Sequence, residues 1–330
     1  MFLGMASRVY GLAVALRNRR YNRNPALITR FDVPTISIGN ITAGGTGKTP
    51  MAALICQFLG IWGYAPAILT RGYMRRRNAP SDEVLELRKR LPGVPVIVNP
   101  NRVLAARMAL DQEASALVLD DGFQHRRLHR HADLVLIDAL DPFGGNALLP
   151  RGLLREPLSS LARATAVIIT RCNQTTREHV HAIERQIRQH FTGQIVRSEI
   201  QPTGVVDAHK RSIQPQGQTV LPVCAVGNPH SFLSTCTELG LEACEPLTWP
   251  DHHSYTEADL QRIRHAAQRA SAAAVVTTNK DWVKLKPLLH HAARPTDPPF
   301  WIVPVQHTFT LGGQSFLAEL RDLCMQVRKP

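Results

Sequence analysis

The sequence predicts an α/β protein in which a mostly parallel sheet is covered by helices on both faces. Two observations support this class: short, predominantly apolar runs, and stretches with helical spacing between them. Strands of a parallel sheet are buried on both faces, so they read as nearly continuous apolar runs rather than as alternating ones. The runs that predict strands of the first domain are 34–38, 65–70, 94–98, 116–119, 134–137 and 166–170.

A second, smaller α/β domain is predicted in the C-terminal part of the chain. Apolar runs at 221–227, 274–278 and 301–305 predict its strands, and helical spacing recurs between them and after them. The polar stretch that begins at Pro202 contains Pro and Gly and is typical of a connection. The predicted organisation is an N-terminal amphipathic helix at 1–25, a first α/β domain at 26–200, a linker at 201–220 and a smaller C-terminal α/β domain at 221–330.

The composition indicates a folded protein with an anionic partner. The chain has 330 residues, 44% of them hydrophobic, which excludes a disordered chain. Its net charge of +13 suggests a nucleic acid, a phosphorylated ligand or an anionic membrane, and a generally basic proteome is the alternative that charge alone leaves open. Aromatic residues make up only 6% and are not interleaved with the basic ones, which argues against nucleic acid as a partner.

The N-terminal stretch combines apolar residues at helical spacing with arginines, most of which follow the apolar part. A signal peptide carries its charge before the apolar region, so this order argues against one. An amphipathic helix on an anionic membrane surface fits the pattern, and a helix packed on the domain is the open alternative. The apolar residues are Phe2, Met5, Val9, Leu12 or Ala13, and Leu16, and the arginines are Arg8, Arg17, Arg19 and Arg20.

A glycine-rich turn, 39–50, joins the first predicted strand to a predicted helix at 51–59. Strand, glycine-rich turn, Lys-Thr and helix is the layout of a phosphate-binding P-loop. Lys48 is placed to reach the β- and γ-phosphates, and the Thr49 hydroxyl to bind Mg²⁺. The usual first glycine of G-x-x-x-x-G-K-[ST] is replaced by Thr42. The first domain is therefore predicted to be a P-loop NTPase domain.

A second nucleotide-binding signal lies at the end of the predicted strand 116–119. That strand runs into Asp120, Asp121 and Gly122. A carboxylate at the carboxyl end of a parallel strand lies at the crevice where ligands bind, and Mg²⁺ prefers carboxylates together with phosphate oxygens. The pattern resembles a Walker-B strand and leaves open whether Asp120 or Asp121 binds the metal.

Three further features are compatible with a phosphorylated acceptor and a proton-transfer site. The arginine-rich run 71–77 is either solvated or grips a phosphate. The Asp251-His252 pair can orient an imidazole for proton transfer. The stretch 278–281 is similar to the guanine-reading N-K-x-D pattern, but Asp281 follows Lys280 directly, which argues against a G protein.

Taken together, these blocks resemble the tetraacyldisaccharide 4′-kinase (lipid A 4′-kinase) family of Gram-negative bacteria. In that family Thr is usual at the position of Thr42, so this departure from the general P-loop belongs to the family. The matching blocks are 39–50, 70–73, 82–83, 120–125, 137–138, 149–152, 155–156, 251–252 and 278–281.

The resemblance implies ATP-dependent phosphorylation of the 4′-hydroxyl of tetraacyldisaccharide 1-phosphate, which gives lipid IVA in lipid A biosynthesis. It implies ATP and Mg²⁺ as cofactors and an Asp82–His252 dyad as the acceptor's base. The dyad would draw on both domains, so domain closure would assemble the site. The implied catalytic residues are Asp82, His252 and Lys48; the nucleotide-binding residues Thr42, Ala43, Gly44, Gly45, Thr46, Gly47, Lys48 and Thr49; the metal ligands Thr49, Asp121 and Glu156; and the substrate contacts Arg71, Glu83, Arg102, Gln124 and His125.

An acylated acceptor resides in a membrane, so the resemblance also favours the membrane-surface interpretation of the N-terminal helix. It implies a peripheral or monotopic enzyme on the cytoplasmic face of the inner membrane. The lipid and the membrane surface are then the expected partners, with no nucleic acid and no protein partner. The alternative hypothesis is a P-loop regulatory NTPase that acts on a protein partner.

Overall fold

The computed structural model describes residues 2–72, 82–215, 217–251, 253–292 and 297–328.

The chain divides into a first unit, Met1–Ile200 with His307–Pro330, and a second unit, Gln201–Gln306. The strands are β1 (Thr35–Asn40), β2 (Pro66–Thr70), β3 (Val96–Val98), β4 (Ala116–Asp120), β5 (Ala132–Asp138), β6 (Ala166–Thr170), β7 (Gln194–Pro202), β8 (Val205–Asp207), β9 (Ser212–Ile213), β10 (Thr219–Cys224), β11 (Glu242–Ala243), β12 (Leu247–Thr248), β13 (Ala274–Thr278), β14 (Phe300–Val303) and β15 (Val305–Phe309).

The α-helices account for most of the remaining regular structure. Short 3₁₀ turns occur at Pro25–Leu27, Gly144–Asn146, Leu158–Arg163 and Cys172–Gln174. The helices are α1 (Phe2–Arg23), α2 (Lys48–Ile61), α3 (Asp82–Arg90), α4 (Arg102–Leu110), α5 (Arg177–Arg188), α6 (Pro229–Glu238), α7 (Glu257–Arg269), α8 (Asn279–Ala292) and α9 (Gly313–Arg328).

The first unit is built on an eight-stranded sheet with the order β15-β7-β6-β5-β1-β4-β2-β3. The pairs from β7 through to β3 are parallel. Strands β1, β2, β4, β5 and β6 are buried along their whole length, because apolar clusters cover the sheet on both faces. The predicted fold class is confirmed, and its apolar runs match these strands.

The parallel register brings the carboxyl ends of four neighbouring strands to one edge of the sheet. Ile38 pairs with Asp120, and Asn40 pairs with Leu136 one strand further along. Asp138 pairs with Thr170. Polar residues that end β1, β4, β5 and β6 therefore lie side by side, which is the position at which open α/β sheets bind ligands.

The second unit has its own sheet, with the order β11-β10-β13-β14-β8-β9, and β12 also pairs with β10. Strands β10, β13 and β14 are parallel, whereas β8 is antiparallel to β14 and to β9. The structure therefore corrects the prediction of a linker at 201–220, because this segment contains β8, β9 and the start of β10. Its few apolar residues are used in packing, since Val205 is buried in the second core.

The last segment of the chain also differs from the expectation, because residues 307–330 belong to the first unit. Strand β15 lies at the edge of the first sheet, and α9 buries Phe316, Leu320 and Cys324 in a core cluster of that unit. The spacing of these three residues predicts a helix correctly. It carries no information about which of two sheets the helix covers, so the boundary at residue 306 could not be read from the pattern.

Helix α1 packs on the rest of the first unit through polar contacts and the buried Val14, and leaves five apolar side chains exposed. Ser7 Oγ donates to the Leu148 carbonyl at 2.8 Å, and Tyr10 donates its hydroxyl proton to the Arg155 carbonyl at 3.0 Å. The side chains that remain 55–66% exposed are Leu3, Met5, Val9, Leu12 and Leu16. None of the described helices combines the length and the apolar character needed to cross a bilayer.

Candidate functional site

The glycine-rich loop leaves β1 and ends at the first turn of α2, which begins at Lys48. Gly44 and Gly47 have positive φ angles of 130° and 84°, where a side chain would be strained. The start of the loop is extended instead: Thr42 forms a bridge with Leu154, and the Ile41 carbonyl accepts from the Arg155 N–H at 2.7 Å. This pairing explains why Thr is acceptable where the general motif has Gly, since no left-handed conformation is required there.

Asp121 faces the lysine of the loop. It follows β4 in a left-handed conformation, with φ 54°, and its Oδ1 lies 3.6 Å from Lys48 Nζ. Arg155 Nη1 donates to both carboxylate oxygens at 2.9 and 2.8 Å. Burial alone would raise the pKa of Asp121, but the positive charges of Lys48 and Arg155 outweigh burial and lower that pKa. The carboxylate is therefore ionised and lies beside the cation that is predicted to bind phosphate.

Arg155 is a site residue that sequence reasoning missed. The family resemblance includes the block 155–156 but assigns a role, that of a metal ligand, to Glu156 alone. The backbone pairing of Arg155 with Ile41 and its contact with Asp121 join three segments that are remote in the sequence. The position of Arg155 next to Glu156 in a matching block indicated that this segment belongs to the site. It did not indicate which of the two residues contacts Asp121.

Glu156 is fully buried and surrounded by donors. Arg17 Nη2 lies 3.1 Å from its Oε1, and Asn18 Nδ2 donates to its Oε2 at 2.7 Å. Ser160 and Arg163 also contact Oε2, each at 3.1 Å. Two guanidinium groups neutralise this carboxylate in the structure, and its role as a metal ligand stays a prediction. Glu156 ties α1 to the first unit.

A basic cluster lies near Asp120 and Asp121. Arg102 is 2% exposed, donates to the Asn99 carbonyl at 2.7 Å, and has its pKa lowered to about 10 by burial, against the opposing effect of Asp120 and Asp121. The pKa of His125 is lowered to about 4, mainly by burial and then by the positive charges of Arg102 and other arginines, including Arg71. The imidazole is neutral at physiological pH and can accept or donate a hydrogen bond.

The structure thus brings together four of the five residues predicted to contact the substrate. Arg71, Arg102 and His125 influence one another electrostatically, and Gln124 Nε2 donates to the Asn40 carbonyl at 2.9 Å. The helix that contains Glu83 is described, but the side chains of Asp82 and Glu83 lie outside the described residues, as do Arg75, Arg76 and Arg77.

Several buried polar atoms at this edge of the sheet have no partner within the described part of the chain. They include Oδ1 and Nδ2 of Asn40, at the end of β1, and Oγ1 of Thr46 in the loop. Nε of Arg102 and Nε2 of His125 belong to the same group. Buried polar atoms are usually paired, so such a concentration fits a site that receives a polar ligand such as ATP with Mg²⁺.

His252 lies outside the described residues, but its neighbours are held firmly within the second unit. His253 donates or accepts through Nε2 at 3.0 Å from Asp259 Oδ2, and its ring stacks on Trp249 at 5.8 Å. Asp251 Oδ1 accepts from Lys280 Nζ at 2.7 Å. His253 is engaged in this packing, and the assignment of His252 to the dyad stays a prediction.

The Thr278–Asp281 block has a structural role in the second unit. Asp281 is fully buried; it accepts from the Ala225 N–H at 3.1 Å and from Thr278 Oγ1 at 2.7 Å. The Asp281 N–H donates back to Thr278 Oγ1 at 3.1 Å, so the two residues close the first turn of α8. The block therefore joins β10 to α8, as a helix cap does.

The fold and this site define a P-loop phosphotransferase: a glycine-rich loop, a lysine at the start of a helix, and a carboxylate on the neighbouring strand. A sequence model of the family described as tetraacyldisaccharide-1-P 4′-kinase matches residues 1–324. The chain belongs to this family, and it is an ATP-dependent 4′-kinase of lipid A biosynthesis.

Individual relatives agree with the family match. A tetraacyldisaccharide 4′-kinase of Syntrophus aciditrophicus (strain SB) is 36% identical over 317 residues, which cover 87% of this chain and 85% of the relative. One from Anaeromyxobacter dehalogenans (strain 2CP-C) is 38% identical over 311 residues, which cover 88% and 82%. The crystal structure of LpxK from Aquifex aeolicus in complex with ATP has the same fold, with a TM-score of 0.72 at 23% identity over 98% of this chain and 97% of that one.

Proposed function

We propose that Lys48 and the backbone of residues 42–49 bind the phosphates of ATP, and that Thr49 and Asp121 hold Mg²⁺. The 3.6 Å approach of Lys48 Nζ to Asp121 is the observation that carries this assignment. Phosphoryl transfer depends mainly on positioning and on neutralising charge, and bound Mg²⁺ would supply part of that neutralisation. Lys48 contributes a fixed positive charge at the start of α2, where the helix dipole also favours an anion.

Arg155 has a place in the same proposal. Its guanidinium lies against Asp121, and its backbone holds the start of the loop, so it links the carboxylate to the loop in one geometry. Arg155 Nη1 contacts both carboxylate oxygens at 2.9 and 2.8 Å, so it restricts the carboxylate more than Lys48 does at 3.6 Å. Arg155 therefore orients Asp121 toward the phosphate site.

The acceptor hydroxyl loses its proton to Asp82, with His252 raising the basicity of that carboxylate or orienting it. Asp82 is the first residue of α3. The neutral His125, Gln124 and the buried Arg102 supply hydrogen bonds and positive charge for the phosphorylated sugar, together with Arg71 and Glu83. A site with fixed cations suits an acceptor that already carries a phosphate.

The enzyme meets its lipid at the cytoplasmic surface of the inner membrane through α1. Met5, Val9, Leu12 and Leu16 recur at steps of three and four residues, so they share one face of the helix, and all are exposed. The basic residues of the last turn, Arg20 and Arg23, follow this face. An apolar stripe that ends in arginines suits insertion among acyl chains with contact to anionic headgroups.

One assay separates the kinase from a P-loop regulatory NTPase. The purified protein in detergent receives γ-labelled ATP and tetraacyldisaccharide 1-phosphate, with Lys48→Met as the inactive control. We expect label in the lipid product, and only with wild type. Label that remains in ATP, or that is released only as free phosphate, would overturn the assignment in favour of the regulatory alternative.

A further inference from the structure

The far side of the glycine-rich loop is held by side chains of three residues that no motif includes. Arg171 Nη2 donates to the Gly45 carbonyl at 2.8 Å, and Thr170 Oγ1 donates to the Thr46 carbonyl at 3.2 Å. His307 Nε2 bonds to the Gly47 carbonyl at 3.0 Å. We infer that Thr170, Arg171 and His307 are positioning residues that hold three successive peptides of the loop in the orientation that binds the phosphates of ATP.

The physical reason lies in the planar trans peptide. The carbonyl oxygen of one residue and the N–H of the next point in opposite directions across the peptide plane. Fixing the carbonyls of residues 45, 46 and 47 therefore directs the N–H groups of Thr46, Gly47 and Lys48 to the opposite side. Within the described part of the chain no backbone acceptor bonds to these N–H groups, so they remain available for an anion.

We call these three side chains, of Thr170, Arg171 and His307, the brace. It is needed because glycines leave the peptides of the loop free to rotate. Without restraint, Gly45 and Gly47 sample many peptide orientations, and binding would have to freeze them at a cost in entropy. Donors on β6 and β15 belong to the sheet, so they are rigid before ATP arrives. A preorganised set of N–H groups binds anions more tightly than one that must reorganise.

His307 is adapted to this position. A carbonyl only accepts, so Nε2 carries the proton, and Nδ1 accepts from the Ser198 hydroxyl at 2.9 Å. The ring is 2% exposed, and burial lowers its pKa to about 4, so it stays in this neutral tautomer at physiological pH. The contact is close: a Cβ built on Gly47 would lie 2.7 Å from Nε2, which adds a second reason for glycine there.

Arg171 adopts a conformation that its position requires. Its φ of 59° is left-handed, which is uncommon for a residue with a side chain and is often found at functional positions. In this conformation one arm of the guanidinium pairs with Asp138 at the end of β5 while the other reaches Gly45. The ion pair fixes the direction of the donor.

Two isosteric substitutions test the brace. Thr170→Val removes the hydroxyl that bonds to Thr46, whereas Thr35→Val removes one that bonds to the Val33 carbonyl at 3.0 Å, at the opposite end of the sheet. Both threonines are buried, so the loss of stability should be similar. We expect Thr170→Val to raise the Kd and the KM for ATP by about three- to tenfold, with the KM for the lipid unchanged. Thr35→Val should leave all three constants unchanged.

Wild-type ATP affinity in Thr170→Val, or an equal loss in Thr35→Val, would overturn the brace. A second pair tests the histidine: His307→Gln keeps an N–H donor and should retain ATP affinity within about threefold, whereas His307→Leu should lose more. Equal affinities for these two variants would count against the role of His307. Melting temperatures of all four variants report the structural effect separately.

The inference rests on the proposed phosphate site, and Lys48→Met separates the two. If Lys48→Met kept the wild-type kcat/KM for ATP, the loop would not be the phosphate site, and both the proposed function and the brace would be refuted. A loss in Lys48→Met together with unchanged ATP binding in Thr170→Val would leave the site in place and refute the brace alone. Binding is measured with a non-hydrolysable ATP analogue, so the readout does not depend on turnover.

Discussion

At the scale of single residues, the site depends on how a few charges are neutralised. Asp121 keeps its negative charge because Lys48 and Arg155 contact it, although burial alone acts in the opposite direction. His125 and His307 stay neutral because burial disfavours their charged forms. All three groups are therefore deprotonated, which leaves the carboxylate charged and both imidazoles neutral.

The first prediction concerns Asp121. Asp121→Asn removes the charge that faces Lys48 and Arg155 and a proposed ligand of Mg²⁺, so we expect kcat to fall by about 100-fold or more. Asp207→Asn is the control, because Asp207 pairs with the exposed Arg211 in the second unit. Steady-state kinetics at saturating Mg²⁺ measure both. A kcat within tenfold of wild type in Asp121→Asn would contradict the assigned role.

The second prediction concerns pH and His307. Its pKa is about 4 in the folded protein and near 6.5 in the unfolded chain, so the unfolded state binds more protons between these values. The free energy of unfolding should therefore fall as the pH drops from 6.5 to 4, by up to about 3 kcal/mol from this group alone.

Urea unfolding at several pH values between 4 and 7.5 measures this dependence. His307→Gln replaces this imidazole with an amide that does not titrate in this window, so the stability of the variant should depend less steeply on pH than that of wild type. His125 and His129 also have folded pKa values of about 4, so part of the slope should remain in the variant. Identical slopes for the two proteins would show that burial of His307 is not the cause.

At the scale of elements, α1 has the reverse of the usual arrangement for a surface helix. Its packed side contacts the first unit through Ser7, Tyr10, Arg17 and Asn18, and its apolar stripe faces outward. Helices of soluble domains usually bury the apolar side instead. This reversal is the structural basis for proposing a membrane-surface role.

The third prediction tests that surface. Leu12→Gln combined with Leu16→Gln should weaken binding to anionic phospholipid vesicles by tenfold or more, since each leucine contributes on the order of 1.5 kcal/mol when buried in lipid. Neither residue contacts the core, so melting temperature should not change. Ile61→Gln on α2, which is 76% exposed, is the matched control. Vesicle sedimentation that is unchanged in the double variant would rule out this stripe as the main contact.

The fourth prediction decides between two roles for Glu156. Glu156 is the fully buried centre of an ion-pair cluster, so Glu156→Gln should lower the free energy of unfolding by about 2–4 kcal/mol, because Arg163 and the more exposed Arg17 lose their charged partner. Glu184→Gln, which breaks a more exposed pair with Arg197, should cost less than about 1 kcal/mol. A metal ligand would behave differently: the Mg²⁺ requirement would rise while stability stayed near wild type.

At the scale of the whole molecule, the chain passes from the first unit to the second after residue 200 and returns at residue 307. The P-loop and Asp82 fall in the first unit, and residue 252 falls in the second. The return segment supplies His307 to the loop and α9 to the first core.

The fifth prediction is that Asp82 and His252 act together in one proton-transfer step. Asp82→Asn and His252→Gln should each lower kcat by about 100-fold or more while the Kd for ATP stays within a few fold, because neither residue binds nucleotide. If the two act together, the double variant should be scarcely slower than the worse single variant. Fully multiplicative losses would mean that the residues act independently.

The sequence by itself determined the fold class, the P-loop, the Walker-B-like strand and the family. These features depend on local order: Lys48 must follow its glycines, and Asp121 must follow an apolar run. Only the tertiary structure decided that Arg155 contacts Asp121, that Glu156 serves α1, and that residues 307–330 complete the first unit. Those facts join segments more than 30 residues apart. Periodicity records which side of an element is buried, but not which distant element covers it.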